Sequence, residues 1–372
     1  MVLGSSRFET ADAFVTQSTP VVMVTIQYRL GILGFLSTGD DVLPGNLGLF
    51  DQNFAFRWVQ NNIAAFGGDP DRVTIAGESA GGESVLAHMV SPVSRGLFRA
   101  ASAQSPPAAW VLAELKDRKH KFAQLANAHN CGGDSAEALD CLRDIRLQNL
   151  LNTSAADDFG AVSRVVDNEF FTRQPRDLWA NGQINDADLM VGFTSDDGWM
   201  VIDSLDFDYK LNRTRDLELF YSSNALTLKL QLEDSLNLDS MDVVRAGKRL
   251  TNTDELLALI KTRYYDSRAT QLEKAHGTLD SNRDSYFAAW TVWVAKQAAR
   301  RGNKVFMYCF DHATEMLQLN PPGGVPIGAP HAGELPYLFG HGLTHPDDVI
   351  MTQDEIMLTR SVIHAWLSFT NG

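Results

Sequence analysis

Val73-Thr74-Ile75-Ala76-Gly77-Glu78-Ser79-Ala80-Gly81-Gly82 is the most informative stretch of the sequence, and a helix-compatible segment follows it at 83–89. A G-x-S-x-G motif between a strand and a helix predicts a nucleophile elbow, a tight turn that projects the hydroxyl of Ser79 clear of a sheet. Gly77 and Gly81 lack a Cβ, so strand and helix would approach closely. The turn would also point the backbone N–H of Ala80 at a developing oxyanion, at the positive end of the helix.

A simpler interpretation of these residues is a glycine-rich loop whose serine only caps the following helix. Short motif matches also arise by chance. The apolar run before the motif and the helix-compatible residues after it favour the elbow, because a simple loop requires neither. The stretch therefore predicts a nucleophilic serine, which needs a base and an acid from elsewhere in the chain.

The overall composition is acidic. The 372 residues include 32 Lys and Arg against 46 Asp and Glu, which gives a net charge of −14 at pH 7. No run of basic residues is long enough to follow a phosphate backbone, so nucleic acid is not an expected partner. No apolar stretch is long enough to span a membrane. Residues 1–20 are polar and show no hydrophobic core of a signal peptide.

Apolar runs and helical periodicities alternate along the chain. Residues 21–28 form a continuous apolar run, which predicts a strand buried on both faces. Besides the run that begins at Val73, strands are predicted at 100–104, 188–193 and 304–310. Helices are predicted at 51–66, 116–129, 286–301 and 354–369, with helical insertions at 206–280. This alternation favours an α/β fold, a mostly parallel sheet with helices on both faces.

A serine nucleophile requires a base, and the base requires an acid that orients it. In an α/β-hydrolase these groups follow in the order Ser, Asp or Glu, His, on loops after successive strands. Asp196 and Asp197 come directly after the strand that ends at Phe193. Of the nine histidines, only His331 stands late in the chain in a proline- and glycine-rich loop, soon after a core strand.

Several sequence blocks match a known family in content and order. They are QYRLGILGF at 27–35, PGN at 44–46, DQ at 51–52, AAFGGDP at 64–70, GESAGG at 77–82, CLR at 141–143, GFTSDDG at 192–198 and HAGELPY at 331–337. With these blocks the chain resembles the type-B carboxylesterases, the family that includes cholinesterases and arthropod esterases. The resemblance implies one α/β-hydrolase domain spanning residues 1–372. It also implies a carboxylic ester hydrolase with a small-molecule ester substrate, an acyl-enzyme intermediate, no cofactor and no metal.

The resemblance assigns roles to the candidate residues. Ser79 is the nucleophile, His331 is the general base and Asp197 is the orienting acid. The family more often has Glu at the acid position, so Asp197 is a shorter variant and Asp196 is the alternative. Ala80 supplies an oxyanion donor. Activity should fall as the pH drops through the pKa of His331, which is near ~6.5 for an unperturbed histidine.

Three further residues match family positions that form a buried polar network beside the triad: Glu78, Ser105 and Glu334. Two carboxyl groups placed close together raise the pKa of one of them. We therefore expect this network to hold water and tune His331 rather than to attack substrate. The family usually has glycine after Ser105, where this chain has Pro106, so the local geometry there is a point of difference.

The cysteines and the N-glycosylation sequons give information on the cellular compartment of the protein. Cys131 and Cys141 enclose a short loop, and a disulfide that closed it would contribute about 2–3 kcal/mol. The family bridges the matching pair. Cys309 is interpreted as a buried free thiol in a strand. Sequons at Asn152 and Asn212 are consistent with a glycoprotein, and the resemblance implies the extracellular space or the secretory pathway.

The resemblance also concerns the ends of the chain. The family's oxyanion hole takes two further N–H donors from a His-Gly-Gly-Gly loop, and residues 1–6 resemble the segment directly after it. The chain is therefore expected to lack that loop and to stop short of the family's C-terminal end. Removing one oxyanion donor costs about 10²- to 10³-fold in rate.

Three interpretations of the function follow. The first is a carboxylic ester hydrolase. The second is a non-catalytic cholinesterase-like binding or adhesion module of the neuroligin or neurotactin kind, and the third is an inactive truncated esterase. The retained Ser79, Asp197 and His331 argue against the second, because such modules typically lose triad residues.

A zinc site is a minor alternative for a different part of the chain. His341 and His345 have the i, i+4 spacing of zinc ligands on a helix. Gly342 and Pro346 disfavour that helix, so a loop without metal is predicted.

Overall fold

Four parallel strands form the central sheet of the computed structural model, in the order β1 (Thr74–Glu78), β2 (Ala100–Gln104), β3 (Asp188–Thr194) and β4 (Val305–Phe310). The structure describes residues 11–15, 21–108, 112–156, 164–199, 244–245, 248–249, 262–264, 271–313, 328–344 and 351–372. All four strands were predicted from the sequence. Because the strands are parallel, the loops that leave their carboxyl ends meet at one edge of the sheet.

The helices match most of the predicted periodic segments. They are α1 (Asp12–Val15), α2 (Gly31–Phe35), α3 (Leu47–Asn62), α4 (Ala80–Val90), α5 (Leu115–Ala128), α6 (Ser135–Arg143), α7 (Leu147–Ala156), α8 (Pro175–Ala180), α9 (Gln271–Asn282), α10 (Ala289–Arg301), α11 (Leu335–Leu338), α12 (His341–Thr344) and α13 (Gln353–Asn371). A π-helical turn, Arg283–Ala288, joins α9 to α10. Short 3₁₀ turns lie at Ile63–Phe66, Pro70–Arg72 and Pro92–Ser94. Two-residue ladders pair Ala113–Glu114 with Val165–Val166, and Val244–Arg245 with Lys248–Arg249.

Alternate residues of the strands face two layers of helices. On one face Val191 and Val305 pack into the main core, together with buried residues of α4, α8 and α10. On the other face Tyr308 and Phe310 pack with α13, where the ring of Trp366 contacts Tyr308 at 5.0 Å between centroids. Side chains alternate across a strand, so each face of the sheet needs its own cover. The predicted parallel sheet with helices on both faces is confirmed.

Two predictions about strands are wrong. Residues 21–28 form no strand: they pair with no other strand in the described part of the chain, and Val22 and Val24 are exposed. An apolar run reports β propensity, but a strand also needs a neighbour for its backbone hydrogen bonds. Cys309 is exposed rather than buried, because β4 has only β3 beside it among the described strands.

A smaller core lies under α5 and α6 and contains the predicted disulfide. Cys131 and Cys141 are joined, with their Cα atoms 5.5 Å apart. Asp134 begins α6 with a capping box that includes Glu137. The bridge lies beside buried apolar residues such as Phe122, so it closes the loop against a packed surface.

Three remaining predictions concern the glycosylation sequons, the helical insertions at 206–280 and the absence of a membrane-spanning helix. Asn152 is exposed on α7 and accepts a hydrogen bond from Gln148 Nε2 at 2.9 Å, whereas Asn212 lies outside the described residues. Within 206–280, α9 is helical as predicted, whereas Val244–Arg245 and Lys248–Arg249 form an antiparallel ladder and not a helix. Most of the other residues of this range lie outside the described ranges. Of the helices that the structure describes, none has the length and hydropathy required to cross a bilayer.

Candidate active site

The predicted elbow is present between β1 and α4. Ser79 has φ 54° and ψ −120°, a strained conformation for a residue with a side chain. Its backbone N–H donates to Gln104 O at 2.9 Å, at the carboxyl end of β2. Ala80 is the first residue of α4, so its N–H is one of those left free by the helix.

Strand β1 and helix α4 approach each other closely at the elbow, and of the two predicted glycines only Gly77 is required for this approach. A Cβ at Gly77 would overlap the backbone of Gly81, whereas a Cβ at Gly81 would meet nothing within 4 Å. A Cβ at Gly82 would lie 2.6 Å from Gln104 O. The steric requirement therefore falls on Gly77 and Gly82, because these two positions face backbone atoms across the gap between strand and helix.

The loop after β3 holds a fully buried carboxylate. Asp197 Oδ2 accepts hydrogen bonds from the Thr194 N–H and from Ser105 Oγ, each at 2.8 Å. Its other oxygen, Oδ1, lies 2.7 Å from His331 Nδ1. Both oxygens are thus engaged, and the donors on Oδ2 fix the plane of the carboxylate. Ser105 has φ 42° and keeps this contact although Pro106 follows it.

Asp196, the alternative acid, has a different set of contacts. Its backbone N–H donates to Ala329 O at 2.8 Å, and its side-chain Oδ2 accepts from the Gly328 N–H. Asp196 also forms an isolated parallel bridge with Pro330. These contacts connect the loop after β3 to the segment that precedes His331. The described hydrogen bonds of Asp196 are made to this segment and not to the imidazole of His331.

His331 lies between the acid loop and β1. Its side chain is only 10% exposed, and its Nε2 is 3.1 Å from Glu78 Oε1. Neither of these two atoms makes a hydrogen bond of acceptable geometry. The structure therefore brings Asp197 and His331 together, but His331 Nε2 is not hydrogen-bonded to Ser79. The imidazole also packs against Phe287, with the ring centroids 5.0 Å apart.

Burial is the main cause of the raised pKa values of the carboxyl groups in this cluster. It raises the pKa of Glu78 to about 8, with Glu334 and Asp197 acting in the same direction and His331 opposing them. Burial likewise raises the pKa of Glu334. Burial alone would lower the pKa of His331, but the hydrogen bond to Asp197 and the charge of Glu78 outweigh it and raise the pKa. The His331–Glu78 pair therefore keeps a proton to a higher pH than either group would in water.

The predicted polar residues are all near this cluster, and some partners were not predicted. Glu334 is fully buried and its Oε1 accepts from Gln104 Nε2 at 3.1 Å. Gln104 and Thr194 were not predicted as site residues, although each is a polar residue at the end of a buried strand, which is a usable signal. Phe287 was also missed, because a phenylalanine within a predicted helix gives no such signal.

The alternative zinc site receives no support from the described residues. His341 begins α12, so this position is helical and not the predicted loop, while His345 lies outside the described ranges. No group of three or more His, Cys, Asp or Glu side chains placed to hold a metal occurs in the part of the chain that the structure describes.

A parallel sheet with a serine on a strand–turn–helix elbow, and with the acid and the histidine on later loops, defines an α/β-hydrolase fold. The model of the Carboxylesterase family matches residues 1–372, and the chain belongs to this family, that of the type-B carboxylesterases and cholinesterases.

Known relatives agree with this assignment. "Pyrethroid hydrolase Ces2e" of Rattus norvegicus is 34% identical over 363 residues, which cover 94% of this chain and 57% of the relative. "Acylcarnitine hydrolase" of Mus musculus is 32% identical over 378 residues, which cover 99% of this chain and 61% of the relative. "Cholinesterase 1" of Branchiostoma lanceolatum is 33% identical over 331 residues, or 84% and 87% of the two chains. The chain thus spans about three fifths of the length of the two hydrolases.

Proposed function

We propose that this chain is a serine carboxylesterase whose catalytic residues are Ser79, His331 and Asp197. The observation that carries the proposal is the buried Asp197, held by two donors on one oxygen and 2.7 Å from His331 Nδ1 on the other. Such a carboxylate fixes the imidazole tautomer and stabilises the imidazolium that forms during acyl transfer. The strained elbow serine stands at the carboxyl end of β1, at the same edge of the sheet. Family membership supports ester hydrolysis as the reaction.

In the proposed mechanism His331 Nε2 takes the proton of Ser79 as the hydroxyl oxygen attacks the ester carbonyl. The Ala80 N–H donates to the oxyanion of the tetrahedral intermediate. His331 then protonates the leaving alcohol, and an acyl-enzyme on Ser79 remains. Water, deprotonated by His331, then attacks this ester; the carboxylic acid is released, and His331 returns the proton to Ser79 Oγ.

The contact between His331 Nε2 and Glu78 fits a resting state of this site. Catalytic hydrogen bonds are often long or poorly aligned without substrate and become shorter in the Michaelis complex. Nε2 is buried and engages no good donor or acceptor, so a small movement toward Ser79 would break no hydrogen bond. Glu78, which is adjacent to the serine in sequence, would then stay beside the imidazolium.

The test of the proposal is covalent labelling. The 372-residue chain is incubated with a fluorophosphonate probe and its intact mass is measured, with Ser79→Ala as the matched control. We expect one adduct on the unsubstituted chain and none on the variant, because labelling requires an activated serine. Folded protein that forms no adduct would contradict the proposal and support a non-catalytic binding module or an inactive esterase.

The pH dependence should reflect the raised pKa of His331. The base must be neutral, so kcat/KM for an uncharged ester should fall as the pH drops through a value above ~6.5, the pKa of an unperturbed histidine. Glu78→Gln removes one of the charges that raise this pKa and should move the acid limb to lower pH. This electrostatic arrangement would be contradicted if kcat/KM of the wild type fell only below pH ~6, or if wild type and Glu78→Gln had the same pH dependence.

The disulfide supports a proposal about the compartment. Bridges such as Cys131–Cys141 form in oxidising environments, so we place the protein in the extracellular space or the secretory pathway. Its proposed partner is a small-molecule ester, without nucleic acid or cofactor. Glycosylation at Asn152 and Asn212 and the single-domain organisation of residues 1–372 stay predictions.

A further inference from the structure

The π-helical turn Arg283–Ala288 touches three separate parts of the site. Tyr286 O accepts from the Ala108 N–H at 2.7 Å, in the loop that follows β2 and Ser105. Arg283 Nη1 donates to Ser195 O at 3.0 Å, in the acid loop. Phe287 contacts the imidazole of His331. π turns are rare and are often found at functional sites.

This turn is held firmly against the acid loop. Arg283 pairs with Asp280 at 2.8 Å and with Asp284 at 2.7 Å, which fixes its guanidinium. A Cβ at Gly198 would overlap Leu279 O and would lie 2.7 Å from Arg283 N, so the helix backbone and the loop backbone are in direct contact. The position of Phe287 is therefore coupled to the position of Asp197, the neighbour of Gly198.

Phe287 is fully buried, and its ring packs against the imidazole of His331. The two ring planes are inclined by 40° at a centroid distance of 5.0 Å. The polar groups lie at the edge of the imidazole: Nδ1 is 2.7 Å from Asp197 Oδ1, and Nε2 is 3.1 Å from Glu78 Oε1 without a hydrogen bond of good geometry. An aromatic ring within about 6 Å of a cation attracts it through the negative charge density on its face.

We propose that Phe287 is a positioning residue that acts through His331, holding the imidazole plane and stabilising the positive charge that the ring acquires during catalysis. The inference rests on the proposed function, in which His331 is protonated in each transition state. It adds an aromatic partner to the hydrogen bond that Asp197 supplies.

Several charged groups face His331 from the surrounding elements, and the substitution of Phe287 removes none of them. Asp197 approaches from the loop after β3, Glu78 from the end of β1 and Glu334 from the turn that carries the histidine. On the π turn itself, Arg283 and Asp284 pair with each other. A change in the pKa of His331 after substitution of Phe287 would therefore measure the effect of the aromatic ring.

The test replaces the ring while it keeps apolar volume. In Phe287→Leu we expect the pKa of His331, followed by NMR titration of labelled histidine, to fall by about 0.5–1 pH unit. We expect kcat to fall about 5- to 20-fold with little change in KM, because a cation–aromatic contact forms only when the imidazole is charged. Phe171→Leu removes an equally buried ring from the main core and should leave the His331 pKa unchanged.

The outcomes separate this inference from the proposed function. A folded Phe287→Leu protein with wild-type His331 pKa and kcat would overturn the inference, as would an equal shift in Phe171→Leu. If wild type takes no fluorophosphonate, the proposed function is wrong, and the titration still decides whether Phe287 stabilises the imidazolium. Should Phe287→Leu not fold, Phe287→Met fills the same space with a flexible side chain and the same two results apply.

Discussion

Replacing His331 with glutamine should lower kcat/KM for a short carboxylic ester by about 10⁴- to 10⁶-fold. Glutamine has no group that accepts a proton from Ser79 near neutral pH, so neither the attack nor the deacylation step has a base. The neighbouring Asp197 keeps its hydrogen bonds from Ser105 and Thr194, so the acid loop should hold its conformation. Initial rates and fluorophosphonate labelling both measure the effect.

A matched control is available on the final helix. His364 is exposed on α13, and the same change there, His364→Gln, should leave the rate within about twofold of wild type, as expected for a surface substitution. Thermal unfolding of both variants would show that any loss at position 331 is chemical. A loss of less than tenfold in His331→Gln would mean that another residue is the base.

Asp197→Asn should lower kcat by about 10⁴-fold with the fold intact. Asp197 Oδ2 accepts two donors, so the amide oxygen of asparagine should take that position and its NH₂ group should face His331 Nδ1. Nδ1 would then have to be the acceptor, which places the ring proton on Nε2. In that tautomer Nε2 can no longer accept the proton of Ser79. Single-turnover kinetics on an activated ester would measure the loss.

Asp196→Asn is the control that separates the two candidate acids. Asp196 accepts from the Gly328 N–H, and an amide oxygen can still accept this bond. We expect less than a tenfold loss of kcat, since the described contacts of this side chain support the loop and not the imidazole. Equal losses in the two variants would show that both carboxylates act on His331 or that either change disturbs the loop.

Prediction from sequence worked best where the evidence is local. The strands at 188–194 and 305–310 contain apolar runs of the right length, a short apolar run begins at Val73 before the elbow, and the elbow has a glycine pattern tied to one backbone geometry. Residues 21–28 have the same type of run and form no strand, because strand formation also needs a partner strand. Local pattern therefore predicted which segments can form strands and did not establish which of them do.

The amino-acid sequence alone identified the elbow serine, the order of the candidate acid and base, and the family. Which aspartate meets the imidazole was settled in the structure by a contact between residues 134 positions apart, together with donors from Thr194 and Ser105. The position of Glu78 beside Nε2 and the cover that Phe287 gives the imidazole likewise arise only when separate elements pack. Distances across a sheet edge and the burial that shifts a pKa depend on the whole chain, whereas a turn depends on a few neighbouring residues.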